Sequence, residues 1–142
     1  NGAVLYVSDE MHPVYQQSSD SLVIIIMVLF DAGVPIVPGT DHIAGFTLHR
    51  ELELYAKAGI PPLDVLRIAS LESARLVGAA HYSGSITAGK NADLLVIDGD
   101  PTKNISDIRK VALVFKGAHY YKPDELYPVV GVKPFTASLK LN

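Results

Sequence analysis

The sequence predicts an α/β chain in which a first, mainly helical part is followed by a small antiparallel, β-rich part. The run VPIV at residues 34–37 is apolar and mostly β-branched, which is typical of a short strand buried on both sides in a parallel sheet. Apolar residues at helical spacing dominate the segments that follow this strand. From about His81 onward glycines separate shorter apolar segments, which indicates strands and turns.

Composition and charge indicate a globular chain and argue against a nucleic-acid-binding protein. The 142 residues are 49% hydrophobic and 19% charged, which suffices for one globular core. Twelve basic and 15 acidic residues give a net charge of −3, and no Lys/Arg cluster is present, so nucleic acid is not an expected partner. The absence of cysteine excludes disulfides and thiolate metal sites but leaves the cellular compartment open.

The longest apolar run is LVIIIMVLF at residues 22–30. Its periodicity fits either a strand or a helix, but Asp31-Ala32-Gly33 is typical of a helix end, so we expect a helix. The run is shorter than the ~20 residues that span a bilayer and follows acidic residues, so neither a membrane span nor a signal peptide is expected. A helix that is apolar all round needs cover from a missing segment or a partner subunit.

Turn and cap residues divide the rest of the first part. Residues 3–7 are predicted as a strand, 8–21 as a polar loop and 34–40 as the VPIVPGT strand. A helix is expected from about Leu48 to Ala58, closed by Gly59. The dipeptide Pro61-Pro62 then starts a further helix, and Ser70 is the expected N-cap of a last short helix that Gly78 ends.

In the second part, the strand signals are ADLLVID at residues 92–98 and VALVF at residues 111–115. Lys116-Gly117 before AHYY suggests a tight hairpin. The tail from Lys122 onward contains three prolines and is predicted to be irregular.

Asp41 is the first candidate site residue because it directly follows the predicted VPIVPGT strand. Ligands and catalytic groups collect at the ends of such strands in α/β architectures. Asp is also a common turn former and helix N-cap, and the local sequence alone favours that role.

Two segments in the expected order carry a family resemblance. GSITAGKNADLLVIDGDP at residues 84–101 resembles the C-terminal signature of the amidohydrolase superfamily. The stretch at residues 39–78, which begins GTDHIAGFTLHRELELYAKAGIPP, resembles the segment after the eighth barrel strand in the imidazolonepropionase-like and prolidase-like branches. The resemblance spans roughly residues 28–134. It implies the end of a (β/α)8 TIM barrel at residues 1–81, part of a small β-sandwich at 82–122, and a C-terminal tail at 123–142.

The resemblance also implies a site. The family's Asp at the end of the eighth strand matches Asp41, which would be both a ligand of a divalent metal, zinc in the first place, and the general acid/base. His42 is a candidate substrate contact. Packing or solvent-exposed positions are expected for the other histidines considered, His12, His49, His81 and His119. Asp93 is expected to stabilise a turn, and Glu51 to brace the barrel end.

The rest of the family's metal centre has no counterpart here. The family uses a His-x-His pair and further ligands on earlier strands, and this chain has no His-x-His and no room for seven preceding strand–helix units. The chain also begins with Asn1, which suggests a partial or processed product. We therefore expect the C-terminal segment of an enzyme that hydrolyses a C–N bond in a small molecule, inactive by itself. The alternatives are one chain of a split enzyme and a non-catalytic binding or scaffold module, and a homo-oligomer is possible.

Overall fold

The computed structural model describes residues 8–9, 11–40 and 47–139. Its helices are α1 (His12–Asp31), α2 (Thr47–Lys57), α3 (Pro62–Arg67), α4 (Ser73–Leu76) and α5 (Pro123–Leu126). Its strands are β1 (Asp93–Ile97), β2 (Val111–Lys116) and β3 (His119–Tyr121). A π-helical turn, Ile68–Glu72, joins α3 to α4, and 3₁₀ turns lie at Ile105–Arg109 and Tyr127–Val130. The predicted strand at residues 3–7 lies outside the described residues.

Helix α1 confirms that the apolar run is helical, but it begins well before that run. Residues 12–21 were expected to form a polar loop, and this prediction is wrong. Pro13 occupies the first turn, where a missing N–H costs no hydrogen bond. The Gln16 amide then donates to the Asp20 carboxylate, one turn later, at 3.3 Å. Polar residues that pair along a helix can therefore extend it into a stretch without apolar periodicity.

Three helix ends were correctly placed by their glycines. At the end of α2, the N–H of Ile60 donates to the carbonyl of Tyr55 and that of Gly59 to Ala56, which together form a Schellman motif. Gly59 has φ +108°, a value that a side chain makes costly. The same pair of bonds follows α1 at Gly33 and α4 at Gly78.

The predicted strand at residues 34–40 is not observed. These residues have irregular backbone, and none of them pairs with a strand among the described residues. An apolar β-branched run specifies a strand only where a neighbouring strand offers its backbone groups. The one sheet described, β1-β2-β3, does not include this segment.

Helices α3 and α4 form one continuous helical stretch with the π turn between them. Pro61 precedes the first residue of α3, as predicted. Ser70 was expected to cap a separate helix, and this prediction is wrong. Ser70 lies inside the π turn, where its hydroxyl donates back to the carbonyl of Leu66 at 2.6 Å. A serine within a helix often makes this bond, so Ser70 did not mark a helix start.

The β-rich part contains the small antiparallel sheet that was predicted. ADLLVID and VALVF pair antiparallel, with Asp93 opposite Lys116 and Leu95 opposite Val114. Strand β2 continues through the Lys116-Gly117 hairpin into β3. The tail differs from the prediction because it contains two short helical turns, Pro123–Leu126 and Tyr127–Val130, each with a proline in its first two positions.

One core joins the helical and β-rich parts. Its buried side chains come from α2, the connection between α2 and α3, the α3–π stretch and the 3₁₀ turn at 105–109: Leu52, Tyr55, Ile60, Val65, Ile68, Ile105 and Ile108. Ile26, Met27 and Phe30 of α1 pack against this cluster with part of their surface. Helix α1 is therefore attached to the core by one side.

The other side of α1 is exposed. Leu22 and Ile24 are each 63% exposed and Val28 is 60% exposed, so no described residue covers this apolar surface. Among the described residues, α1 is the one helix long and apolar enough to cross a membrane by length and composition. A core helix or a signal sequence passes the same test, so the absence of a membrane span stays a prediction.

Candidate active site

The candidate site is the segment around Asp41, which follows residues 34–40. Asp41 and His42 themselves lie outside the described residues. The backbone that leads to them, residues 34–40, and helix α2, which follows them, are described. Contacts from helix α2 hold Gly39 and Thr40, the last described residues before segment 41–46.

A hydrogen bond between two threonines joins these ends. The Thr47 hydroxyl donates to the Thr40 hydroxyl at 2.9 Å, and the contact is partly buried. Thr40 directly precedes Asp41, and Thr47 is the first residue of α2. The residue before Asp41 is therefore bonded to a helix start.

A second contact anchors the backbone two residues before Asp41. The N–H of Gly39 donates to Oε1 of Glu51 on α2 at 3.0 Å. The Tyr55 hydroxyl donates to the same oxygen at 3.4 Å. Burial, with the neighbouring charge of Glu51, raises the pKa of Tyr55 to about 12, so this hydroxyl keeps its proton at neutral pH. Glu51 therefore has the bracing role that was expected: its carboxylate holds the backbone at Gly39 and is itself held by Tyr55.

The described histidines do not gather into a metal site. His49 lies on α2 as predicted. His12 lies in the first turn of α1 and not in the expected loop, while His81 and His119 are exposed in the β-rich part. Among residues 8–9, 11–40 and 47–139, no group of three or more His, Asp or Glu side chains could hold a metal ion. This part of the chain does not by itself fit a catalytic zinc, which takes three protein ligands.

Asp93 has the structural role that was expected. Its carboxylate accepts from Lys116 Nζ at 2.7 Å and from the N–H of Gly117 at 3.3 Å. The hydrogen bond from Lys116 lowers the pKa of Asp93 below its ordinary value. Both bonds stabilise the hairpin turn, so the carboxylate of Asp93 has a structural role.

A cavity of about 620 Å³ opens between α2, α3, the loop at residues 83–86 and β1. Leu48, Leu52 and Leu94 are among its mainly apolar lining residues. Thr40, Thr47 and Glu51 do not line it. The cavity is thus separate from the contacts that anchor the segment before Asp41.

The threonine pair was not found from the sequence. Thr40 and Thr47 are seven residues apart, and nothing in their spacing shows that a loop brings their hydroxyls together. The pairing of Glu51 with Tyr55 could have been found, because residues four apart share a helix face. The bond from Gly39 to Glu51 spans 12 residues and needed the structure.

Comparison with known proteins identifies the family. The sequence model of the amidohydrolase family matches residues 18–121. An imidazolonepropionase of Geobacillus kaustophilus is 33% identical over 75 residues, which are 49% of this chain and 18% of that protein. The imidazolonepropionase of Shouchella clausii is also 33% identical over 75 residues, 17% of its length.

Solved structures give the same result. A Xaa-Pro dipeptidase structure with bound methionine matches with a TM-score of 0.65 and 30% identity over 73% of this chain and 25% of that chain. A prolidase-type structure from Bifidobacterium longum matches with a TM-score of 0.64 and 27% identity over 82% of this chain and 27% of that one.

The family match identifies the protein family of the chain, and the similar proteins identify its branch within that family. The chain belongs to the amidohydrolase family. Within it, the chain is a member of the branch that contains the imidazolonepropionases and the prolidase-like proteins. It spans about a quarter, or less, of the length of these relatives.

Proposed function

We propose that this chain is the C-terminal segment of a metal-dependent amidohydrolase that hydrolyses a C–N bond in a cyclic amide, an amidine or a dipeptide-like substrate. The observation that carries the proposal is the family match over residues 18–121, which continues from the helices into the β-rich part. In this account, residues 1–81 end a (β/α)8 barrel, 82–122 belong to a β-sandwich and 123–142 form a tail. Residues 34–40 would then gain strand partners from the rest of the barrel.

Asp41 is the proposed catalytic residue. It would take a proton from the attacking water and deliver it to the leaving amine, which is the work of a general acid/base. The two contacts that anchor Gly39 and Thr40 to α2 support this role, because a catalytic carboxylate needs a fixed approach. His42 is the proposed substrate contact.

The proposed metal is divalent, with zinc as the first candidate. Asp41 would be a ligand that this chain contributes, and the other ligands would come from the missing N-terminal barrel segment or from another chain. A bound zinc lowers the pKa of a water and polarises a carbonyl. The described residues supply no second ligand set, so the centre as proposed is shared with the missing part.

The exposed side of α1 favours a missing cover over an independent module. Ile24 and Ile25 are 63% and 51% exposed, although neighbouring side chains of the same helix pack on the core. The proposed cover is the N-terminal barrel segment or the second chain of a split enzyme, and a second copy of this chain would have the same effect. A binding or scaffold module that has lost the chemistry would be favoured instead by an isolated 142-residue chain that is stable and monomeric.

Hydrolysis by the full-length protein that contains this sequence tests the proposal. Purified protein with its metal content measured is incubated with a panel of Xaa-Pro dipeptides and with imidazolonepropionate, and the loss of each probe and the formation of its hydrolysis product are quantified by chromatography. Turnover of at least one probe that stops on chelation and returns with zinc is expected. A folded, metal-loaded protein that turns over none of these probes, nor other cyclic amides, would contradict the proposal.

A further inference from the structure

We infer that Glu51 is a positioning residue for Asp41, an inference that rests on the proposed function. Oε1 of Glu51 accepts the N–H of Gly39 at 3.0 Å, and Gly39 lies two residues before Asp41. A hydrogen bond to an ionised acceptor is about twice as strong as a neutral one. The bond therefore fixes the backbone at the entrance to the catalytic residue.

The Glu51 carboxylate is itself held by the core. The Tyr55 hydroxyl donates to the same oxygen at 3.4 Å, one helical turn further along α2. Tyr55 is only 6% exposed and packs within the main cluster of buried side chains. A chain of contacts thus runs from the core through Tyr55 and Glu51 to Gly39.

The same helix offers a matched glutamate with a different task. Glu53 accepts two bonds from Arg109, from Nε at 2.7 Å and from Nη2 at 3.0 Å. This pair ties α2 to the 3₁₀ turn at Ile105–Arg109 and not to residues 34–40. A substitution of Glu53 therefore changes stability alone. A substitution of Glu51 changes stability and also the position of the backbone before Asp41.

The test compares Glu51→Met, Glu51→Gln and Glu53→Met in the full-length protein. The readouts are kcat and KM for an Xaa-Pro dipeptide, bound zinc, and hydrogen exchange in the peptide that covers residues 34–40. Glu51→Met should lower kcat about 10–100-fold, change KM less and speed exchange at 34–40. Glu51→Gln should recover most of kcat because its amide oxygen still accepts the Gly39 N–H.

Glu53→Met should lower the melting temperature while kcat per folded molecule and exchange at 34–40 stay near the wild-type values. A kcat for Glu51→Met equal to that for Glu53→Met overturns the inference, and so does a Glu51→Gln variant as impaired as Glu51→Met. If Glu51→Met does not fold, Tyr55→Phe replaces it. A several-fold lower kcat then supports the inference, and a wild-type kcat overturns it.

Asp41→Asn separates this inference from the proposed function. If Asp41→Asn is inactive and Glu51→Met is as active as its control, only the positioning role fails. If Asp41→Asn keeps wild-type kcat, the proposed function fails. Exchange at residues 34–40 then still shows whether Glu51 holds this backbone.

Discussion

The hydroxyls of Thr40 and Thr47 are hydrogen bonded at 2.9 Å across the ends of segment 41–46. This bond and the bond from Gly39 to Glu51 attach both residues that precede Asp41 to helix α2. The approach to the candidate catalytic residue is therefore set by a helix whose inner face lies in the core.

A double-mutant cycle measures the threonine bond. Thr40→Val and Thr47→Val each remove one hydroxyl with little change of shape, and together they should cost less than the sum of the single changes. The expected coupling is about 1 kcal/mol in the free energy of unfolding, measured in denaturant. Additive losses would show that the two hydroxyls do not stabilise each other.

The Glu53–Arg109 pair should make stability depend on pH. The Arg109 hydrogen bond lowers the pKa of Glu53 below its ordinary 4.5. Its contribution is therefore fully present above pH 4.5 and is lost as the pH falls through the lowered pKa of the folded state. Arg109→Met should cost about 1–3 kcal/mol at pH 7 and less at pH 3. An equal loss of unfolding free energy at both pH values would contradict this.

Gly84 should not tolerate a side chain. It has φ +81°, and an added Cβ would lie 2.5 Å from Cβ of Ala74 and 3.0 Å from the carbonyl oxygen of Ser70. Gly84→Ala should lower the free energy of unfolding by on the order of 2–4 kcal/mol through overlap and backbone strain. Gly89→Ala is the matched control, because Gly89 has φ +89° but no atom near its Cβ position. Equal costs for both variants would rule out the packing explanation.

The exposed side of α1 should make the isolated 142-residue chain associate. An apolar surface of this extent is an aggregation hazard unless it is covered. Light scattering should show oligomers or aggregates that decrease when Ile24 and Val28 are changed to Glu. Changing Ile26, which packs on the core, should instead lower stability. A clean monomer of the unchanged chain at high concentration would contradict the need for a cover.

Local signals account for what the sequence predicted correctly. The helix ends at Gly33, Gly59 and Gly78 each depend on one glycine with a positive φ. The position of that glycine in the sequence was therefore sufficient to predict each helix end. Strands β1 and β2 follow from two short apolar runs, and the turn at Lys116-Gly117 marks the hairpin from β2 to β3. The family motifs were then specific enough to identify the branch, which the comparisons confirmed.

Features that depend on distant parts of the chain could not be predicted. Residues 34–40 have the composition of a strand, yet a strand needs a partner that the described residues do not offer. The bond from Arg109 to Glu53 joins residues 56 apart, and no periodicity indicates it. The roles of Asp41 and His42 stay predictions because both residues lie outside the described part of the chain.

Asp41→Asn in the full-length protein decides whether Asp41 is the general acid/base. Asn keeps the shape and one oxygen but cannot take a proton, so kcat should fall by about 10²–10⁴ while KM changes less. Asp93→Asn is the control, and it should weaken the hairpin while activity per folded molecule is kept. Steady-state kinetics on the dipeptide or cyclic amide that the wild type hydrolyses, with zinc content measured in parallel, provides the comparison. A metal-loaded Asp41→Asn variant with near-normal kcat would contradict the account and leave Asp41 as a turn or cap residue.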